Sequence, residues 1–253
     1  MQERQLLFMK SEEDVMKQLI EQWRQAHRVV CMTGAGVSAA SGLGTFQSIG
    51  ERYFNMMPEE ISTRKFMVEE PELFYQFYRE VFYHPYVQPN ENHLILRELE
   101  QRNKFHGIIT QNIDGLHQMA GSKKIIELHG NAKKFYCPHC GKKYSWEVLK
   151  NGGVPRCKCS YMLYPDIVFY DDEVPGNVQQ RAEHWLDKTD LLVIMGTSLS
   201  AYSALALVEE YAQTHDDSIY IIDIQNAAPF GIGHFIENSC EEALSFIAEA
   251  LVS

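Results

Sequence analysis

From Arg28 to Thr33 the chain is a short run suited to a buried β-strand. It passes without a spacer into Gly34-Ala35-Gly36-Val37-Ser38-Ala39, a fit to the G-x-G-x-x-[GA] turn between a strand and a helix. Further strand-sized runs at 106–110, 124–128, 166–169, 190–195 and 218–224 alternate with helical patterns. The helices are expected at 11–26, 71–82, 90–101, 177–186, 203–213 and 240–251, the first with Ser11 and Asp14 forming a capping-box-like start. This alternation predicts an α/β fold, a Rossmann-like parallel sheet covered by helices on both faces, with ligands beyond the carboxyl ends of the strands. Glycines also mark ordinary tight turns, so the Gly-rich turn alone leaves phosphate binding open.

The chain has 253 residues, with 23 Lys and Arg against 34 Asp and Glu, a net charge of −11. That balance argues against direct nucleic-acid or anionic-membrane partners, because phosphate binding needs positive charge, and it leaves room for a basic peptide. The longest apolar runs, such as Leu191 to Met195, are strand-sized, and Met1-Gln2-Glu3-Arg4 offers no apolar leader core, so a cytoplasmic location is expected.

Four of the six cysteines fall in one short span: Cys137-x2-Cys140, sixteen residues, then Cys157-x-Cys159. This is close to the spacing of structural zinc sites, in which four thiolates close a tetrahedron and leave no position for an activated water. The expected role is to hold a small zinc-binding module together, with a redox dithiol as the alternative and His139 as a solvent-facing filler. Cys31 and Cys240 read as small buried hydrophobes.

Compact polar clusters stand at the ends of the other strands: Gln111-Asn112-Ile113-Asp114-Gly115-Leu116-His117, His129-Gly130 and Gly196-Thr197-Ser198. On a parallel sheet these ends converge on one edge, giving amides, hydroxyls, a carboxylate and a titratable imidazole in a single cleft. Each residue also has a plainer reading. Asn112 and Asp114 are able to cap the helix begun by Gly115, Ser198 to cap the next one, His117 to be an exposed helix residue, and His93 to pack on a helix face.

Taken together, the Gly34 to Gly42 segment, Thr110 to His117, Glu127 to Gly130, the four cysteines and Gly196-Thr197-Ser198-Leu199 resemble the sirtuins, NAD-dependent protein lysine deacylases, in order and approximate spacing. The resemblance implies a Rossmann-type domain in three parts (1–47, 105–130 and 164–253), a helical module with the cofactor-binding loop at 48–104, and a zinc-binding module at 131–163. It implies that NAD is consumed, that one structural zinc is bound, and that an acyl-lysine protein or peptide is the partner.

By motif, Gly34, Ala35, Gly36, Ser38, Thr45, Phe46, Gln47, Gln111, Gly196, Thr197 and Ser198 would contact the dinucleotide, with Phe46 over the reacting ribose. Asn112, Ile113 and Asp114 would line the nicotinamide pocket, and Gln225 or Asn226 would reach the adenosine ribose. Ile167, Val168, Phe169 and Tyr170 would pair with the substrate backbone. The implied reaction has the acyl oxygen attack the ribose carbon as nicotinamide leaves. His129 would act as general base and Asn112 would assist catalysis.

Two positions depart from the usual Gly-Ile-Pro-x-Phe-Arg loop of the family, since Gly44 stands for proline and Gln47 for arginine. Gly44 should loosen the loop by roughly 0.4–1 kcal/mol. Replacing a charged hydrogen bond by a neutral one at Gln47 costs roughly 0.5–2 kcal/mol, so NAD affinity is expected to be about 2- to 30-fold weaker. The tyrosine-plus-arginine pair that marks acceptance of acidic acyl groups in the family is incomplete, since Tyr53 has Met56 three residues on; a succinyl preference is not supported, and Asn55-Met56-Met57 would instead suit an apolar acyl chain. Transfer of ADP-ribose to protein and a catalytically quiet NAD-binding module are the alternative uses of the same cleft.

Overall fold

The computed structural model describes residues 11–44, 53, 55–225 and 231–252. In chain order it begins with helix α1 (Glu12–Gln25), strand β1 (Val29–Thr33) and the short helix α2 (Ala35–Ser38). The helices α3 (Pro58–Ile61), α4 (Arg64–Glu69), α5 (Pro71–Phe82) and α6 (Glu91–Gln101) follow. Next come β2 (Gly107–Thr110), α7 (Leu116–Ala120), β3 (Ile125–Glu127), β4 (Gly130–Tyr136), β5 (Lys143–Ser145) and β6 (Tyr164–Ile167). The chain closes with α8 (Gly176–Leu186), β7 (Leu191–Met195), α9 (Tyr202–His215), β8 (Ile219–Asp223), β9 (His234–Glu237) and α10 (Cys240–Val252).

Six strands form one all-parallel sheet in the order β3-β2-β1-β7-β8-β9. The central strands are buried along their length, which is why they read as unbroken apolar runs. Alternate residues face opposite sides: Val29, Cys31, Val193 and Ile222 pack under α1, α6 and α10, whereas Val30, Met32, Ile194 and Ile221 pack under α8 and α9. Cys31 and Cys240 are both buried on the α1 side, as expected of small hydrophobes. At the start of α1, the Ser11 hydroxyl accepts from the Asp14 backbone N–H, the capping expected there.

Two features depart from the sequence expectations. Strand β9 was not foreseen, because only Ile236 of its four residues is buried and so short an edge strand shows no alternation. The cysteine-bearing segment contributes a second, antiparallel sheet in the order β5-β4-β6. Its last strand is Tyr164–Ile167, displaced from the expected 166–169 and able to hold Pro165 because β6 is an edge strand. The small sheet therefore runs past the boundary expected at 163.

The helical segment also divides. Leu96 and Leu99 of α6 belong to the core of the large sheet, whereas Ile61, Met67, Phe74, Phe77 and Tyr78 of α3–α5 share one core with Phe135 and Leu163 of the small sheet. The 48–104 stretch is thus not one module, and α3–α5 form a joint body with the cysteine-bearing sheet. Buried hydroxyls fasten that body, with Tyr78 donating to the Ala132 carbonyl at 3.0 Å and Tyr75 donating to that of Leu163. Among the described residues, no helix is long and apolar enough to cross a membrane.

Candidate active site at the sheet switch point

The strand order reverses between β1 and β7, and the crevice outside the carboxyl ends of such neighbours is where α/β sheets bind ligands. Here the turn after β1 and the turn after β7 touch backbone to backbone. Gly34 N–H donates to the Met195 carbonyl at 3.0 Å and Gly36 N–H to that of Gly196 at 2.8 Å. A Cβ on Gly36 would lie 2.7 Å from the Gly196 Cα, and Gly196 itself has φ +61°, so neither position accepts a larger residue without displacing the other turn.

Side chains from β2's end knit the two turns together. Gln111 Nε2 donates to Thr197 Oγ1 at 2.9 Å, and Asn112 Nδ2 donates to the Gly34 carbonyl at 2.9 Å and to Ser38 Oγ at 3.1 Å. The Ser38 hydroxyl donates to Asp114 Oδ2 at 2.6 Å, and Asp114 Oδ1 accepts the Leu116 N–H at 2.8 Å. Asp114 thus does cap α7, as its plainer reading has it, while Asn112 is committed across the sheet edge. Ser198 is exposed and donates to Ser200 Oγ at 3.2 Å; α9 starts after Ala201, so Ser198 caps no helix. Ile113 is tied to the small sheet through its carbonyl, which accepts from Ala132 N–H at 2.8 Å.

His117 is the reverse of an exposed helix residue. It is buried with its ring 4.8 Å from that of His93, because α7 is only five residues long and packs inward against α6. Nε2 of His117 lies 2.9 Å from Thr33 Oγ1, and its Nδ1 is buried without a hydrogen-bond partner among the described residues. His93 accepts the Asn90 N–H on Nδ1 and lies 3.4 Å from Ser38 Oγ through Nε2. Burial lowers the pKa of both rings, that of His117 to about 3, so both are neutral supports beneath Ser38 and Asp114.

His129 stands at the same edge, after β3. Its Nδ1 is 3.2 Å from the Gln111 carbonyl and its Nε2 is 3.0 Å from Ser203 Oγ. Burial lowers its pKa below the usual 6.5, partly offset by the bond to Gln111. Its own carbonyl accepts the Val168 N–H at 2.9 Å, and Gly130 pairs with Ile167. The predicted substrate segment is thus bonded directly to the backbone of the predicted base.

Within that segment, Ile167 and Val168 are half-buried, the Phe169 ring is buried against Phe74 and under the Arg64 guanidinium, and Tyr170 is exposed. Arg64 grips Asp172 at 2.8 Å and 2.5 Å, pinning the segment to α4. Gln225 is exposed at the carboxyl end of β8, its N–H donating to Asp223 Oδ1 at 3.3 Å. Thr45, Phe46, Gln47 and Asn226 lie outside the described residues. Ser203 was missed by the sequence reading, since a serine in the first turn of a helix carries no signal of its own.

The four cysteine sulfurs lie within 4.8 Å of one another. Three of the pairs are 3.5, 3.6 and 3.7 Å apart, close to the edge of about 3.8 Å that a zinc–thiolate tetrahedron with 2.3 Å bonds requires, and far from a disulfide. The one-residue spacer is therefore compatible with a closed four-sulfur site. His139 is stacked on Tyr161 at 4.1 Å and exposed, which leaves it as a filler outside the sulfur cluster.

A sequence model of the Sir2 family matches residues 34–203, more than half of the chain. The chain belongs to the Sir2 family. This sirtuin is 38% identical over 206 residues to an NAD-dependent protein deacetylase of Clostridium perfringens, covering 79% of this chain and 84% of that protein. It is 41% identical over 180 residues to an NAD-dependent protein deacetylase of Bacillus cereus, covering 69% and 73%. Among solved structures, a Sir2 protein with a p53 peptide and NAD superposes with a TM-score of 0.83 at 31% identity, over 97% of this chain and 100% of that one.

Two outcomes follow for the sirtuin. The unfolded state binds protons on its histidines below pH 6.5 whereas the buried His93 and His117 resist doing so, so stability is full above pH 6.5 and falls as the pH drops. Urea unfolding between pH 7 and 5 should show a slope approaching about 1.4 kcal/mol per pH unit for each buried histidine. The slope should be shallower in His117→Gln, and an equal slope in that variant would remove His117 from the account. Separately, Cys157→Ser should lose bound zinc, measured by atomic absorption, and lower the melting temperature. Full zinc retention would contradict the four-thiolate site.

Proposed function

We propose that this sirtuin deacetylates lysine side chains of proteins, consuming NAD, with His129 as general base. The observation that carries the reading is the pair of side-chain bridges, Gln111 to Thr197 and Asn112 to Gly34, which lock three strand ends into one edge that also bears His129 and the backbone of Val168. The names of the Clostridium and Bacillus relatives agree with it.

The donor set suits a dinucleotide. Amides of Gln111 and Asn112 and hydroxyls of Thr197 and Ser198 match sugar hydroxyls, phosphates and a carboxamide, with Ser38 holding Asn112 and Asp114 from beneath, and the glycine turns let backbone approach closely. NAD supplies the ribose carbon whose bond to nicotinamide is broken. In this reading Asn112, Ile113 and Asp114 hold the carboxamide, and fixed amide dipoles face the charge that develops on the sugar without having to reorganise.

The Gln111 carbonyl is only an acceptor, so Nδ1 of His129 carries the ring proton and Nε2 is the free base. A pKa held below 6.5 by burial keeps that base unprotonated at neutral pH, and activity should fall on acidification below it. A substrate peptide adds along the free edge of β6 and Val168, where backbone recognition predicts broad sequence tolerance. Four structural thiolates and two buried free thiols suit a reducing, cytoplasmic location, and the net charge of −11 disfavours nucleic acid and anionic membranes as partners.

Purified protein given an acetyl-lysine peptide and NAD should yield nicotinamide, the deacetylated peptide and acetylated ADP-ribose, and His129→Ala should lower the rate by about 10²–10⁴-fold. Labelled ADP-ribose appearing on protein without any dependence on the acetyl group would overturn the deacetylase reading.

A further inference from the structure

The basic nitrogen of His129 has a hydroxyl partner from the neighbouring helix. With Nδ1 donating to the Gln111 carbonyl, the lone pair sits on Nε2, and the hydroxyl of Ser203 lies 3.0 Å from it and is the donor. Ser203 is the second residue of α9, the helix that follows the Gly196-Thr197-Ser198 turn, and it is only half-buried. Its Oγ thus spends its one proton on the imidazole, while its lone pairs have no donor among the described residues.

We propose that Ser203 is a proton relay between the substrate sugar and His129. This rests on the reading of His129 as the base. A sugar hydroxyl donates to Ser203 Oγ. As that hydroxyl is deprotonated, its proton passes to Oγ while the original Oγ proton passes to Nε2. One O–H bond forms on serine as the other breaks, serine ends neutral, and the imidazole becomes the cation. The arrangement needs only a hydroxyl with one donor and a free lone pair, which threonine also offers and alanine does not.

The test compares single-turnover formation of acetylated ADP-ribose in wild type, Ser203→Ala, Ser203→Thr, His129→Ala and the Ser203→Ala/His129→Ala double variant. Ser203→Ala should slow the step roughly 10- to 100-fold, with KM for NAD changed less than about twofold. Ser203→Thr should restore most of the rate, and Ser203→Ala should cost nothing further once His129 is gone. In mixtures of light and heavy water the wild type should give a bowed rate dependence, two protons in flight, and Ser203→Ala a straight one.

A wild-type dependence that is already straight overturns the relay without any variant having to fold. So does an unchanged rate in a folded Ser203→Ala protein while His129→Ala is inactive. Full activity in His129→Ala is the separate result that sinks the general-base reading itself.

Discussion

The close approach of two backbone turns, with Gly36 N–H on the Gly196 carbonyl at 2.8 Å, is the contact on which the site depends. It exists because neither residue has a Cβ: one on Gly36 would sit 2.7 Å from the Gly196 Cα. This contact closes the switch point between β1 and β7 and sets Thr197 against Gly34, the residue that begins the first turn of α2. Gln111 and Asn112 then find partners on both turns from the neighbouring strand end. The polar residues are therefore ordered by the sheet before any ligand arrives, which is what electrostatic stabilisation without reorganisation demands.

Beneath this edge the protein keeps an unusual buried set. Ser38 Oγ lies at a node between Asn112, Asp114 and His93, and the His117 ring packs behind that of His93, tilted by 58°. Two imidazoles in a dry environment are neutral, so they serve as hydrogen-bonding spacers with no net charge to compete with the dinucleotide. Of the three imidazoles, the one left at the edge itself is His129, whose ring proton is fixed by a backbone carbonyl. The pairing of Val168 with the His129 backbone joins the peptide-binding edge to the base, so the position of one sets the position of the other.

Much of this is written plainly in the chain because burial on both faces leaves continuous apolar runs. β1, β2, β7 and β8 were all legible for that reason, and so was the cysteine spacing, since four ligands of one metal leave a rigid pattern. β9 has one buried residue and escapes detection. The antiparallel small sheet is obscured by the exposed Lys143 and Ser145 in β5 and by Pro165 in β6. The split of the helical segment follows from tertiary packing alone, since the apolar stripes of α5 and α6 look alike but face different sheets. The plainer reading of His117 as an exposed helix residue fails because five helical residues carry no periodicity that would show the buried face, and Ser203 was invisible because its importance lies in what it faces across the fold.

Deuterium exchange with and without saturating NAD tests the central claim most directly. The account predicts slowed exchange in peptides covering 34–38, 111–114 and 196–199, with the metal-binding stretch 137–160 unchanged. Bound NAD that leaves the two glycine turns exchanging as in the free protein would contradict it.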